Sequence, residues 1–254
     1  MASYDAPAVS NAIRIIEYLC DCREPKGVSE IAQELDLNKN MTFRLLHTLQ
    51  KEGWLVQESE AKYSMTLIPF HHLSKTVERM DIVRASRKPL ANLWKQTGES
   101  CYLGIIEGTK TLFLEHLDAV GTVRITARPG GRFYMHCAAP GKVLLAYSEE
   151  PFVDQVIAEN GLPAQTKHTL TSAKALKADL RQIKKRGYGL DFEEYADGLL
   201  CFAAPVFYHT GQIAGTIGLS VLTLHFSTET MIAQLGPSVL EAAKQSSVAL
   251  GYTP

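Results

Sequence analysis

Apolar residues recur at three- and four-residue spacing in the first fifty positions and at two-residue spacing in several later segments, so helices are predicted first and strands afterwards. Val9–Asp21 reads as a helix with Ile13, Ile16, Leu19 and Cys20 on one stripe, ended by Glu24-Pro25-Lys26-Gly27. Ser29–Leu35 is a second helix. Asp36-Leu37-Asn38 is a tight connector, and Asn38 is the predicted N-cap of a third helix, Lys39–Glu52, buried along Met41, Leu45, Leu46 and Leu49. Gly53 stops it. Trp54–Gln57 and Lys62–Met65 read as strands around the turn Glu58-Ser59-Glu60-Ala61. Three short helices followed by a small hairpin is the plan of a winged helix-turn-helix.

Residues 67–80 read as a connecting helix and Ile82–Thr97 as a long helix stopped by Gly98. Strands are then predicted at Ser100–Glu107, Thr111–Leu117, Val123–Ala127 and Phe133–Met135. Helices follow at Pro140–Tyr147, Glu149–Glu159 and Ser172–Lys185, the last closed by Gly187. Strands return at Leu190–Phe192, Phe202–Phe207 and Ile213–Leu222, and one final helix runs from Ser227, its N-cap, towards Leu250. The predicted class is α+β: a winged helix-turn-helix in 1–66, a linker helix in 67–80, and in 81–254 an antiparallel sheet flanked by helices. The mixed order argues against a regular βαβ repeat.

Composition refines this only slightly. The 254 residues carry a formal net charge of -1, so any nucleic-acid contact must come from a local basic patch. The first unit is rich in acids (Glu17, Asp21, Glu24, Glu30, Glu34, Asp36, Glu58 and Glu60), which are expected to lie away from a groove. Five irregularly spaced cysteines, Cys20, Cys22, Cys101, Cys137 and Cys201, do not form a disulfide pattern and read as free thiols of a cytoplasmic protein. The N-terminus has no signal-peptide pattern, and no apolar run is long enough for a membrane span.

The third helix carries the candidate DNA contacts. Asn40, Thr42, Phe43, Arg44 and His47 are placed to reach base edges, while Lys39, Lys51 and the wing residue Lys62 suit phosphates. A solvated polar face is the plain alternative. His136, Cys137, Asp191 and Cys201 are competent zinc ligands, and Cys201 is a conceivable nucleophile, but no histidine has a recognisable local spacing to it. No metal or cofactor is assigned.

The chain resembles the IclR family of bacterial transcription regulators. The resemblance rests on Ile31-Ala32 through Leu37, Phe43-Arg44-Leu45-Leu46 with Leu49, and Gly53-Trp54-Leu55. It continues at His136-Cys137-Ala138-Ala139-Pro140-Gly141-Lys142, Arg186-Gly187-Tyr188, Asp191-Phe192-Glu193-Glu194 and Gly198–Val206. It implies a GAF-like C-terminal effector domain and a homodimer, often assembled into tetramers, on a palindromic operator. It also implies a ligand-controlled regulator of a catabolic operon that senses a small organic acid or aromatic metabolite. The competing reading is a GAF-like binding or catalytic protein whose N-terminal domain contacts protein. By resemblance, the effector site falls on Ala138, Ala139, Pro140, Asp191, Cys201, Gly218, Leu219 and Ser220. Two departures stand out there. Pro140 offers no N–H, and Gly218 stands where a hydroxyl residue is common, which suggests room for a larger, less polar ligand such as an aromatic acid. In the third helix, Met41-Thr42-Phe43 replace the family's usual Ser or Thr followed by His before the arginine, so base preference does not carry over.

Overall fold

The computed structural model describes residues 6–58, 61–72, 81–121 and 127–253. The chain separates into two compact units, residues 1–76 and 77–254.

In the first unit, α1 (Pro7–Asp21), α2 (Val28–Glu34) and α3 (Lys39–Lys51) surround Ile15, Leu19, Ile31 and Leu46, which are all buried. The buried stripe of α1 is Ile15 and Leu19, so Leu19 of the expected set is buried but Ile15 takes the place of the others. Ile13 is half exposed and Cys20 is exposed, because Ile13-Ile16-Cys20 forms an equally regular row on another side of the helix. Between α2 and α3 the backbone turns at Asp36 in the left-handed region (φ 51°), and Leu37 N–H donates to Ala32 O at 2.8 Å. Asn38 caps α3: its side-chain oxygen accepts from Asn40 N (2.9 Å) and Met41 N (3.3 Å). Asn38→Ala leaves both donors to water, and thermal or urea unfolding should show a loss of about 1 kcal/mol.

Gly53 leaves α3 with φ 78°, as a left-handed C-terminal position requires. The wing has one strand more than expected: β1 (Lys26–Gly27), β2 (Leu55–Gln57) and β3 (Lys62–Met65) form an antiparallel sheet in the order β1-β3-β2. Two residues are too few to leave an alternation pattern, so β1 is invisible to periodicity. Residues 68–72 are helical (α4). The rest of the predicted connecting helix, 73–80, and Ser59 and Glu60 of the predicted turn lie outside the described residues.

The second unit opens with α5 (Asp81–Thr97) and is built on a six-stranded, wholly antiparallel sheet. Its strands are β4 (Ser100–Glu107), β5 (Lys110–Leu117), β6 (Arg132–Phe133), β7 (Gly189–Phe192), β8 (Leu199–Phe207) and β9 (Ile213–Leu222), ordered β6-β5-β4-β9-β8-β7. The strand expected at 123–127 falls almost wholly outside the described residues. Tyr134 and Met135 do not extend β6. The helices between are α6 (Ala139–Ala146), α7 (Glu150–Asn160) and α8 (Ala173–Arg186), the last closed by Gly187 at φ 84°.

The single final helix expected after Ser227 is two helices, α9 (Thr228–Gln234) and α10 (Gly236–Ala249). Ser227 does cap the first, accepting from Thr230 N at 3.2 Å. Pro237 forces the interruption: it brings no N–H, and its ring would meet the carbonyl four residues back.

Side chains alternate across the sheet. Cys101 and Leu103 of β4, Leu200, Phe202 and Ala204 of β8, and Ile217, Leu219 and Val221 of β9 form one core with α5 and α10. Leu199, Cys201 and Ala203 of β8 face the other way, towards α6, α7 and α8. The candidate ligand site opens on this second face.

Candidate DNA-binding face and ligand cavity

Asn40, Arg44, His47 and Lys51 follow one another at four, three and four residues along α3, the spacing of a single helical face, and all are exposed. Lys39 stands exposed at its start. Phe43 is 53% exposed beside His47, with ring centroids 6.4 Å apart. An exposed aromatic ring on a polar helix face offers apolar contact to a thymine methyl.

Thr42 does not belong to this face. It is fully buried, and its hydroxyl donates to Asn38 O at 3.0 Å. The inward row of α3 is Thr42, Leu45, Leu46 and Leu49. Thr42 rather than Met41 is in phase with Leu46, and back-bonding to the preceding turn satisfies its hydroxyl there.

The acidic background resolves locally. Between Lys39 and Lys51 there is no acid, while Lys39, Arg44 and Lys51 supply three positive charges. Glu30 turns back to cap Gly27 N–H (2.8 Å) and pair with Lys26 (3.7 Å), contacts that hold its carboxyl below the usual range. In the wing, Glu58 accepts from Ser64 at 2.5 Å, and half-buried Lys62 also feels the charge of Glu30.

The second unit holds a cavity of about 100 Å³ on the α6 face of the sheet. Its polar end is made by Asp191, Cys201 and Ser220, which stand side by side on β7, β8 and β9 in register. Cys201 Sγ and Ser220 Oγ are 3.2 Å apart. Burial pushes the Cys201 thiol well above its ordinary value, and the neighbouring Asp191 charge adds to this, so it stays protonated. Asp191 is fully buried. Its Oδ1 accepts from Glu194 N (2.7 Å) and Tyr195 N (3.4 Å), while Oδ2 has no hydrogen-bond partner. Burial raises its carboxyl to about 7, against the opposing pull of those N–H bonds and of Lys142.

The remaining wall is aromatic. Tyr102 stacks on Phe113 at 4.8 Å, Phe113 meets Phe133 at 4.6 Å, and Phe133 meets Tyr195 edge-on at 5.7 Å. His116 also lines the cavity, with Nδ1 3.2 Å from Asp118, and burial lowers its basicity. None of these residues is in the expected site. Tyr102, Phe113 and His116 come from the β4–β5 hairpin, while Phe133 and Tyr195 come from segments far from it and from each other in sequence.

Of the expected effector residues, Ala138, Pro140, Asp191, Cys201 and Ser220 line the cavity. Leu219 does not: strand alternation turns it to the opposite face, into the core with α5 and α10. Ala139 is packed in the core beneath α6, with its carbonyl against Gly189. Gly218 makes no extra room for ligand. A Cβ there would lie 2.4 Å from Tyr102 Oη and 2.5 Å from Phe202 O, so the tyrosine hydroxyl already fills the space.

Behind Asp191 lies a buried charge cluster. Lys142 of α6 is 1% exposed and pairs with Glu194 at 2.5 Å and Asp179 at 2.9 Å; Arg186 approaches Asp179 at 3.7 Å. Because Glu194 also donates its N–H to Asp191, the cluster fixes the 191–195 turn, where Glu193 adopts φ 57°. Among the described residues, no three His, Cys, Asp or Glu side chains converge as metal ligands, and His136 Nε2 lies 3.1 Å from Pro163 O.

A helix-turn-helix with an acid-free exposed face on its third helix, joined to a unit with a largely apolar cavity, defines a DNA-binding regulator. Comparison with known proteins is specific. The IclR helix-turn-helix domain matches residues 8–59, and the bacterial transcriptional regulator IclR C-terminal domain matches residues 74–248. The chain belongs to the IclR family of transcriptional regulators and is a DNA-binding regulator rather than an enzyme. It is 30% identical to the HTH-type transcriptional regulator KdgR of Escherichia coli over 96% of this chain and 94% of that one. It is 34% identical to BhcR of Paracoccus denitrificans over 94% and 88%. A solved IclR homologue from Microbacterium hydrocarbonoxydans, in complex with 4-hydroxybenzoate, has the same fold with a TM-score of 0.82 at 20% identity, covering 96% of this chain and 99% of that one. No helix among the described residues is long and apolar enough to cross a membrane.

Proposed function

We propose that this regulator controls a catabolic operon by binding a palindromic operator as a homodimer, and that a small organic molecule in the second-unit cavity sets its affinity. The observation that carries this reading is the exposed face of α3, with Lys39, Asn40, Phe43, Arg44, His47 and Lys51 and no acid. Arg44 and Asn40 suit paired hydrogen bonds to guanine and adenine edges, and Lys39, Lys51 and wing residue Lys62 suit phosphates. A two-fold dimer presents two such helices, so half-sites lie about one helical turn apart or a multiple of it.

The cavity supports the sensing half. It is a partly open, mostly apolar hollow with one polar end, the usual form of a small-molecule site. The Microbacterium homologue holds 4-hydroxybenzoate, which favours a single-ring effector here too. A ligand bound differently by two arrangements of the dimer would shift operator affinity by that difference.

The test is a gel shift of purified full-length protein on duplex from its own upstream region. A discrete complex at low salt, weakened or strengthened by one member of a panel of small organic and aromatic acids and alcohols, is the expected result. No complex at any salt, with or without small molecules, contradicts the proposal.

A further inference from the structure

We infer that the groove between α8 and the start of α7 is a docking site for another protein, and that it takes an acidic amphipathic segment, one with carboxylates along one side and apolar residues at every third or fourth position. The groove shares no lining residue with the ligand cavity.

The charge on α8 is out of keeping with the rest of the chain. The whole sequence has 26 Lys and Arg against 27 Asp and Glu, whereas the 14 residues of α8 hold six cations and one acid. Lys174, Lys177, Arg181 and Lys184 follow one another at three, four and three residues, the spacing of one helical face. Helix stability does not account for this row. Cations in the last turn suit the C-terminal end of the macrodipole, but Lys174 stands in the first turn, where a positive charge is unfavourable. Lys177, Arg181 and Lys185 repeat like charges at four-residue spacing, which also weakens a helix.

Nor is the row neutralised. Lys177 pairs with Glu150 at 3.0 Å and Asp154 at 2.6 Å, and the one acid of α8, Asp179, is taken up by Lys142 and Arg186. Lys174, Arg181, Lys184 and Lys185 are all exposed, and among the described residues no acid pairs with them.

The surface beside the row decides the class of partner. It is a groove of about 580 Å³, lined by Leu145, Ala146, Val153 and Leu180 together with Arg181 and Lys184. A cavity of ~150 Å³ holds one benzene, so there is room for several apolar side chains of a partner. Glu149 and Glu150 line the α7 side. A nucleic-acid backbone would meet those two acids and gain nothing from the apolar lining. A protein segment can set its carboxylates on the α8 row, bury its apolar side in the groove and leave Glu149 and Glu150 at a wet rim. From Lys174 to Lys184 the row runs roughly 15 Å at the helical rise, which matches about three turns of a partner helix.

The test is fluorescence anisotropy of the full-length protein with labelled synthetic peptides as long as α8. One peptide has a leucine stripe flanked by glutamates, a second has the same composition in scrambled order, and a third has lysine in place of every glutamate. The proteins are wild type, the double variant Arg181→Gln with Lys184→Gln, and the charge-keeping double variant Arg181→Lys with Lys184→Arg. The striped acidic peptide should bind wild type about tenfold or more tighter than either control and weaken as salt rises. It should lose about tenfold in the glutamine variant and keep its affinity in the charge-keeping one. Glutamine is a good helix former and both positions are exposed, so the melting temperature and operator binding of the glutamine variant should match wild type.

No binding of the striped acidic peptide overturns the proposal, as does binding no tighter than that of the scrambled or lysine peptide. Undiminished binding in the glutamine variant overturns it too, because the peptide then sits elsewhere. A glutamine variant that loses affinity for DNA duplexes while its peptide binding is unmoved would assign the row to nucleic acid instead.

Discussion

Lys142→Met should lower the stability of the second unit by about 3–5 kcal/mol, seen as a large fall in the urea midpoint with little change in slope. The chain around Lys142 allows no cheap escape. Its side chain is 2% exposed and its ammonium sits between Glu194 and Asp179, so removing it leaves an uncompensated acid in a site from which water is excluded. Burial already raises the Glu194 carboxyl even with Lys142 present, and without the lysine it must take up a proton on folding. Asp179, nearer the surface and close to Arg186, adds less.

Two follow-up results separate charge from packing. Lys142→Met combined with Glu194→Gln should recover more than half of the loss, because both charges leave together. The single variant should be less impaired at pH 5 than at pH 8. The sign follows from linkage: a carboxyl with a raised folded-state pKa binds more protons folded than unfolded, so its cost is absent below its unfolded pKa and grows as pH rises towards the folded one. An equal loss at both pH values would mean that the lysine acts through shape alone.

Arg44→Ala should weaken operator binding by about 1–3 kcal/mol per contact, roughly 5- to 150-fold, and flatten discrimination at the base it reads. Arg44 is exposed on the face opposite the Thr42-Leu46 row, so its removal costs the fold almost nothing, and the melting temperature should stay within error. Lys51→Ala is the control. It stands on the same face at the helix end, where a phosphate contact is expected, and its loss should weaken all duplexes alike and reduce the salt slope by about one. If Arg44→Ala behaves like Lys51→Ala, the arginine is a backbone contact and not a reader.

How much of this was legible in the sequence follows from how local each signal is. Capping and turn signals are local, and Asn38, Gly53, Gly187 and Ser227 all sit where the chain needs them. Element order was legible for the same reason. Helix phase was less so: α1 offers two apolar rows, and only packing selects Ile15-Leu19 over Ile13-Ile16. The polar residue Thr42 reads as a surface contact unless its hydroxyl is known to bond back to Asn38 O.

The cavity divides along the same line. Asp191, Cys201 and Ser220 could be nominated because they lie in motif segments, and the sheet aligns them across β7, β8 and β9. Strand parity alone excludes Leu219, since its neighbours Gly218 and Ser220 face the other side. The aromatic wall was only partly legible. Tyr102 and Phe113 meet across the predicted β4–β5 hairpin, but the pairing of β4 with β9, more than a hundred residues later, is one no periodicity encodes. The same pairing sets Tyr102 Oη against Gly218, so a glycine that reads as empty space is in fact the seat of a phenol.

The central claim is that α3 of this chain reads DNA sequence. It is tested most directly by equilibrium binding of the full-length protein, at near-physiological salt, to an inverted-repeat duplex enriched from its upstream region and to a scrambled duplex of equal length and composition. The account predicts an affinity ratio of about a thousandfold or more in favour of the inverted repeat, most of which is lost in Arg44→Ala. Equal affinity for the two duplexes, or a ratio untouched by removing Arg44, would contradict it.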